Sequence, residues 1–300
     1  MTPRLDHNEC PISLRATASG SGRKLLPMTN SGSKNRVAAF FDLDKTIIAT
    51  SSAFAFGRGF LDNGMISRSE ALELFLTKTS YMLNGQSSSK MDATRDRLAD
   101  MVAGWPVSDV RRVVADTMST VVTPAIYREA RELINWHREQ GHDIVILSAS
   151  ASLLVEPIAD ELGIDTIVAT EVEIVDGALT GAITRYLKGD QKAEAMRELV
   201  DKRGYDLAAS YAYSDSLTDV PMLALVGHPV AVNPERGLKK HAVEHGWETR
   251  SFKNPEPLFN PPGAKEIGIG AGVVVTVTAL TAFGIWLAQR GRGGTGRTTA

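Results

Sequence analysis

Hydrophobic and polar positions in the middle of the chain fall into two alternating rhythms. Short apolar runs closed by polar residues read as buried strands at 37–41 (VAAFF), 143–147 (DIVIL), 210–213 (SYAY) and 228–233 (HPVAVN). Between them the apolar positions take a helical period. One helix is expected over 124–140, with Thr123 as its N-cap and Gly141 as its stop; a second opens at Ser150 or Ser152 and ends before Gly163. A third spans 190–202 before Gly204, and a fourth 218–226 before Gly227. Strands alternating with helices predict an α/β fold, a Rossmann-like parallel sheet with helices on both faces. The stretch EVEIVDGALTGAI differs: two alternating runs around Asp176-Gly177 signal a hairpin.

Residues 51–122 interrupt the alternation with helical patterns alone (SEALELFLTKTSYML, MDATRDRLADMVAGW, VSDVRRVVADTMSTVV). A small all-helical cap is therefore expected after the first strand, leaving 36–50 and 123–252 as the α/β core. Phe54, Phe56, Phe60, Met65, Phe75 and Met82 lie in this insertion. The plain reading makes them the cap's own core. The alternative is an apolar roof over a lipid-like leaving group.

The two ends depart from this pattern. Residues 1–35 are rich in Ser, Gly, Thr and Arg and lack the apolar stretch of a signal peptide, so a flexible tail is expected, with Met28 as a second candidate start. Residues 267–288, from Ile267 to Ala288, contain no charge. At ~1.5 Å per residue such a helix reaches ~33 Å, enough to cross a hydrocarbon core of ~30 Å. A Pro-rich linker (253–266) precedes it, and a basic tail (289–300) with Arg290, Arg292 and Arg297 follows. The expectation is a single transmembrane helix serving as a C-terminal anchor; a buried core helix is the alternative. The trailing arginines favour the cytoplasm for the tail, but the lack of an export signal favours a cytoplasmic catalytic part and is given more weight.

Composition narrows the partners. The formal net charge is −2, from 33 basic and 35 acidic residues, so no general field draws the chain to nucleic acid. Cys10 is the single cysteine, which excludes an internal disulfide or thiolate metal site and fits a reducing compartment.

Chemistry gathers where strands end, the edge at which open α/β sheets bind ligands. VAAFFDLDKTIIAT drives a buried strand into Asp42 and Asp44, and YAYSDSLTDVPML places Asp215 just past another strand with Asp219 near a helix start. Carboxylates this close are costly unless a cation offsets them or one is protonated, and Mg²⁺ takes oxygen ligands while keeping waters and a substrate phosphate. Ser148 ends DIVIL ahead of a helix start, a setting that suits an anion. Lys192 opens the helix QKAEAMREL, where an ammonium offsets negative charge. Each signal has a bland counterpart: an Asp at a strand end is more often a helix cap, and a lysine early in a helix is usually solvated. Their succession, each after a buried strand or at a helix start, points to a site that moves a phosphoryl group.

DLDKT, LSAS, QKAEAM and YSDSLTDVPML, in that order, resemble the motifs of the haloacid dehalogenase superfamily of aspartate-nucleophile phosphatases, over about residues 37–252. The helical insertion and YSDSLTDVPML resemble its phosphoserine-phosphatase-like branch. The resemblance implies that Asp42 attacks phosphorus and that Asp44 protonates the leaving alcohol and then activates water. Thr46 would brace the loop, and Ser148 and Lys192 would hold the phosphoryl oxygens, with Lys188 the poorer substitute for Lys192. Asp215 would bind Mg²⁺ beside Asp42 and the backbone carbonyl of Asp44, with Asp219 binding directly or through water. A phosphorylated small molecule or lipid head group would be the substrate. Phosphoserine phosphatases place a glutamate shortly after the first motif, whereas IIATSSAFAF has no acid before Asp62, which argues against an amino-acid substrate. A phosphotransferase of the same mechanism and a membrane-tethered regulatory protein on this fold are the alternatives.

Overall fold

A computed structural model describes residues 36–67, 69–70, 97 and 99–255. The expected tail 1–35, the apolar segment 267–288, the basic tail, and Phe75 and Met82 lie outside these residues. Among the described residues no helix is long and apolar enough to cross a membrane.

Seven strands form one sheet in the order β4-β3-β2-β1-β5-β6-β7. They are β1 (Ala38–Phe41), β2 (Asp143–Ala151), β3 (Thr166–Val175), β4 (Ala178–Arg185), β5 (Tyr211–Ser214), β6 (His228–Val232) and β7 (Glu248–Arg250). All neighbours are parallel except β3 and β4. β1 lies centrally, with Phe41 opposite Ile146 on one side and Tyr213 on the other. Its side chains alternate between two cores. Ala39 and Phe41 join Ile134, Ile146, Ile158 and Tyr213 on one face; Ala38 and Phe40 join Val145, Leu147, Met196 and Met222 on the other. Burial on both faces explains why these strands read as continuous apolar runs.

The hairpin forms as expected. Asp176 (φ 50°) and Gly177 (φ 78°) both take positive φ at the turn between β3 and β4, as a two-residue primed turn requires. β3 begins five residues before the quoted hairpin stretch, because its first half pairs in parallel with β2.

The insertion contributes the helices Ser52–Asp62 and Val107–Thr117, then a π-turn at Met118–Val122. Phe56, Phe60, Val110 and Val113 belong to the same buried cluster as Phe41 and Ile146, so the cap shares its core with the sheet. Phe56 and Phe60 are thus core residues, Met65 packs against that core, and Phe54 is 58% exposed. The cap also meets the hairpin through main-chain bonds. Gly104 N donates to Leu179 O (2.7 Å), Leu179 N to Trp105 O (2.9 Å) and Val107 N to Gly177 O (2.9 Å). Gly181, at φ 84°, permits the approach, since a Cβ there would lie 2.6 Å from the Ala99 carbonyl oxygen.

Several expected boundaries move. The helix expected from 124 begins at Arg128, after a 3-10 turn at Thr123–Ala125, and Thr123 does not cap it. Ile126 and Tyr127 are extended because they pair with the chain at Ile47 and Ile48. Neither Ser150 nor Ser152 caps the helix Ser152–Leu162, whose N-cap is Ala151. The helix expected at 218–226 is a 3-10 turn (Leu217–Asp219) followed by Val220–Leu223. The linker expected from 253 starts later: Lys253 N and Asn254 Nδ2 donate to Glu129, and Arg128 N donates to Asn254 O.

Candidate active site

The end of β1 is held tightly. Asp42 N donates to Tyr213 O on β5 (2.9 Å), and the Leu43 carbonyl accepts from the amides of Ile47 (2.9 Å) and Ile48 (3.1 Å). Lys45 takes φ 58° in the turn so formed, a conformation that costs a non-glycine residue energy. The turn gives Asp42 and Asp44 different hydrogen-bond partners.

Asp42, 6% exposed, faces Lys192 of the helix Asp190–Arg203, whose Nζ lies 2.6 Å from its Oδ1. The same ammonium lies 2.7 Å from Asp219 Oδ2, which also accepts from Ser214 Oγ at 2.7 Å. Lys192 is buried, unlike most lysines near a helix start, and its ammonium meets Asp42. Asp215 is 7% exposed and has Lys45 Nζ at 3.9 Å.

Asp44 turns toward the cap. Its Oδ1 accepts from the backbone amide of Ser52 (2.9 Å), the first residue of the helix Ser52–Asp62, and its Oδ2 accepts from Ser150 Oγ (3.3 Å). The two serine hydroxyls are 2.6 Å apart. Ser148 is buried at the sheet edge and accepts from Ser150 N (3.1 Å). Thr170 Oγ1 donates to Ala149 O (2.7 Å) and steadies this segment. The sequence offers Ser150 only as a helix start and gives Ser52 and Ser214 no role in the site. The alternation of SASAS past a strand end was a usable signal for Ser150; nothing in the sequence alone singles out Ser52 or Ser214.

Charge in this crevice is unbalanced. Three buried carboxylates, Asp42, Asp215 and Asp219, surround one buried ammonium. Burial pushes the Asp42 carboxyl well above the usual carboxylate range, with Lys192 pulling it back and Asp219 and Asp215 adding to the rise. Burial likewise pushes Asp215 up to about 7, against the pull of Lys45. Burial opposes the charge on Lys192, but Asp219 and Asp42 prevail and hold its pKa above the usual lysine value. An ion pair ordinarily lowers its acid as it raises its base. Here Lys192 is shared between Asp42 and Asp219, and its pull on Asp42 does not offset the burial of that carboxyl.

That excess fits a divalent cation. Among the described residues no three acidic or imidazole side chains converge into a ready-made cage, since Lys192 stands between Asp42 and Asp219. Asp42 and Asp215 remain as buried oxygen donors undercompensated by lysine, which is the sparse protein set that Mg²⁺ accepts when water and a phosphate complete its shell. The Asp44 carboxyl is met by Ser52 and Ser150, and that of Asp219 by Lys192 and Ser214. The Thr46 hydroxyl is buried without a hydrogen-bond partner. A cavity of about 530 Å³ lined by Leu133, Trp136, Arg250 and Phe252 includes none of these residues; Glu129 on its wall is occupied in binding Lys253 and Asn254.

Residues 39–224 match the family profile of haloacid dehalogenase-like hydrolases. The chain is 42% identical over 263 residues to a protein of Mycobacterium tuberculosis (strain ATCC 25618 / H37Rv) named as a probable phosphatase, covering 87% of this chain and 92% of that one. It is 30% identical over 281 residues to a phosphoserine phosphatase of the same strain, covering 92% and 90%. A solved phospho-aspartyl intermediate analogue of phosphoserine phosphatase shares the fold with a TM-score of 0.53 and 17% identity, over 74% of this chain and 95% of that one. The chain belongs to the haloacid dehalogenase-like hydrolases.

Proposed function

We propose that the chain is a Mg²⁺-dependent phosphomonoester hydrolase that works through an aspartyl-phosphate on Asp42. The observation that carries this reading is the buried Asp42 carboxylate at the end of the central strand, with Lys192 at 2.6 Å. A carboxylate oxygen of Asp42 bonds to phosphorus as the ester O–P bond breaks, and Asp44 passes its proton to the departing alkoxide. A water then attacks phosphorus and yields its proton to Asp44, the acyl-phosphate bond breaks, and Asp42 is restored with release of phosphate. Lys192 and Ser148 hold the phosphoryl oxygens, and Thr46 braces the turn. Asp42, Asp215 and the backbone carbonyl of Asp44 would hold the ion, which supplies charge stabilisation for the transferring group.

The substrate class is a phosphorylated small molecule. Relatives named as phosphoserine phosphatase support an amino-acid phosphate, while the segment after β1 offers Thr50, Ser51 and Ser52 instead of an acid. Burial of Phe56 and Phe60 in the shared core removes two residues from the apolar roof that a lipid head-group reading needs. Residues 267–288 are proposed as a membrane anchor that leaves the catalytic part in the cytoplasm. Recovery of the full chain in membranes after an alkaline wash, but of a chain ending at Glu266 in the supernatant, tests that part.

The central test is phosphate release by the full chain from phosphoserine, sugar phosphates, phosphatidic acid and an aryl phosphate, with and without Mg²⁺. Turnover that requires Mg²⁺ and falls about a thousandfold or more in Asp42→Asn is expected. Turnover that survives Asp42→Asn overturns the mechanism.

A further inference from the structure

Ser150 lies between the two halves of the proposed chemistry. Its amide donates to Ser148 Oγ (3.1 Å) and its hydroxyl donates to Asp44 Oδ2 (3.3 Å). Its hydroxyl also lies 2.6 Å from that of Ser52, which is fully buried and opens the first cap helix. The other Asp44 oxygen accepts from the Ser52 amide at 2.9 Å. One residue thus touches the hydroxyl proposed to hold phosphate, the carboxyl proposed to serve the leaving group, and the cap.

We propose that Ser150, buttressed by Ser52, is a positioning residue that fixes the Asp44 carboxyl relative to Ser148 and to the cap. The proposal rests on the phosphatase reading for its catalytic consequence and on the hydrogen bonds alone for its structural one. A carboxyl held by a single donor rotates about its last torsion, which for such groups is broad and roughly two-fold. Held at both oxygens, it presents one edge to the leaving oxygen, and misplacing a catalytic group by a fraction of an ångström is costly. The Ser52 amide is the first in its helix and has no partner in a preceding turn, so Asp44 supplies its acceptor. That makes this amide a reporter on the carboxyl.

The test compares the full-length wild type, Ser150→Ala and Ser150→Thr in two measurements. The first is kcat/KM on glycerol phosphate and on p-nitrophenyl phosphate in Mg²⁺, since kcat/KM reports the half-reaction in which the leaving group departs. An alkoxide needs the proton and a nitrophenolate does not. Ser150→Ala is expected to lose about tenfold on the alkyl ester and less than about twofold on the aryl ester, with Ser150→Thr close to wild type on both. The second is hydrogen exchange at the Ser52 amide, expected to be at least about tenfold faster in Ser150→Ala at an unchanged melting temperature. Equal losses on both esters, or unchanged Ser52 exchange, overturn the proposal. A wild type inert on both esters and on every substrate of the central test overturns the phosphatase reading instead, and Ser52 exchange then decides the positioning role alone.

Discussion

Lys192 Nζ lies 2.6 Å from Asp42 Oδ1 with both side chains almost wholly buried. An ammonium in that position holds a nucleophilic carboxylate in place and remains available to the oxygens of a transferring phosphoryl group. It also belongs to a set of charges that burial makes expensive. Lys192→Met should therefore damage stability as well as turnover, because it leaves Asp42 and Asp219 without their shared cation. A loss of about 3–5 kcal/mol by urea unfolding at neutral pH is expected. An unchanged unfolding midpoint would show that the acids find another partner.

Added cation should work the other way. Millimolar Mg²⁺ is expected to raise the melting temperature of the wild type, since a ligand that binds the folded state alone stabilises it. Asp215→Asn should abolish most of that rise while leaving the metal-free protein at least as stable as wild type. Calorimetric scans of both proteins with and without Mg²⁺ provide the check.

Asp215 also sets a pH dependence in the metal-free protein. Its folded value of about 7 stands above its ordinary value of 3.8, so the folded state holds a proton that the unfolded state has released. Stability from this group is complete below about 4 and falls as pH rises to about 7, with a slope of at most about 1.4 kcal/mol per pH unit. Asp215→Asn should remove that slope from urea midpoints measured across the window.

His137 acts with the opposite sign. It is fully buried, with Nε2 2.8 Å from Tyr213 OH and Nδ1 2.8 Å from His142 Nδ1. Burial, with His142 and Arg250 nearby, pushes it down to about 3. The unfolded chain binds its proton first, so stability falls as pH drops from about 6.5 toward 3. His137→Gln should flatten that acid limb and cost about 1–2 kcal/mol at pH 7.5 through the lost hydrogen bonds; paired unfolding curves at pH 7.5 and 5 test both statements.

Much of the fold can be read from residue order alone. β1, β2, β5 and β6 are legible because strands buried on both faces cannot alternate in polarity, and Asp176-Gly177 announces its turn. β7 is not legible: Glu248-Thr249-Arg250 has no apolar signature and is a strand only because β6 offers it a free edge. The start of the helix at Arg128 was equally hidden, since Ile126 is extended to pair with a segment 78 residues earlier, around Ile48. In the site, Asp42, Lys192, Asp215 and Asp219 come together as their order suggested. What the sequence left open was the direction of each carboxyl. Spacing records that Asp44 and Asp219 lie near the crevice, whereas the donors that meet their carboxyls, Ser52, Ser150 and Ser214, are decided by side-chain torsions and by the cap's approach.

The bonds joining Gly104, Trp105 and Val107 to Gly177 and Leu179 bear on what can be exchanged between related proteins. A cap fastened by main-chain groups to the β3–β4 hairpin is inherited together with that hairpin, however far apart they lie in the chain. A chimera that keeps residues 51–122 of this chain and takes the hairpin 171–185 from a relative would set any side chain at position 181 against the Ala99 carbonyl, where only a hydrogen atom fits. The transplantable unit is therefore two separate pieces of sequence.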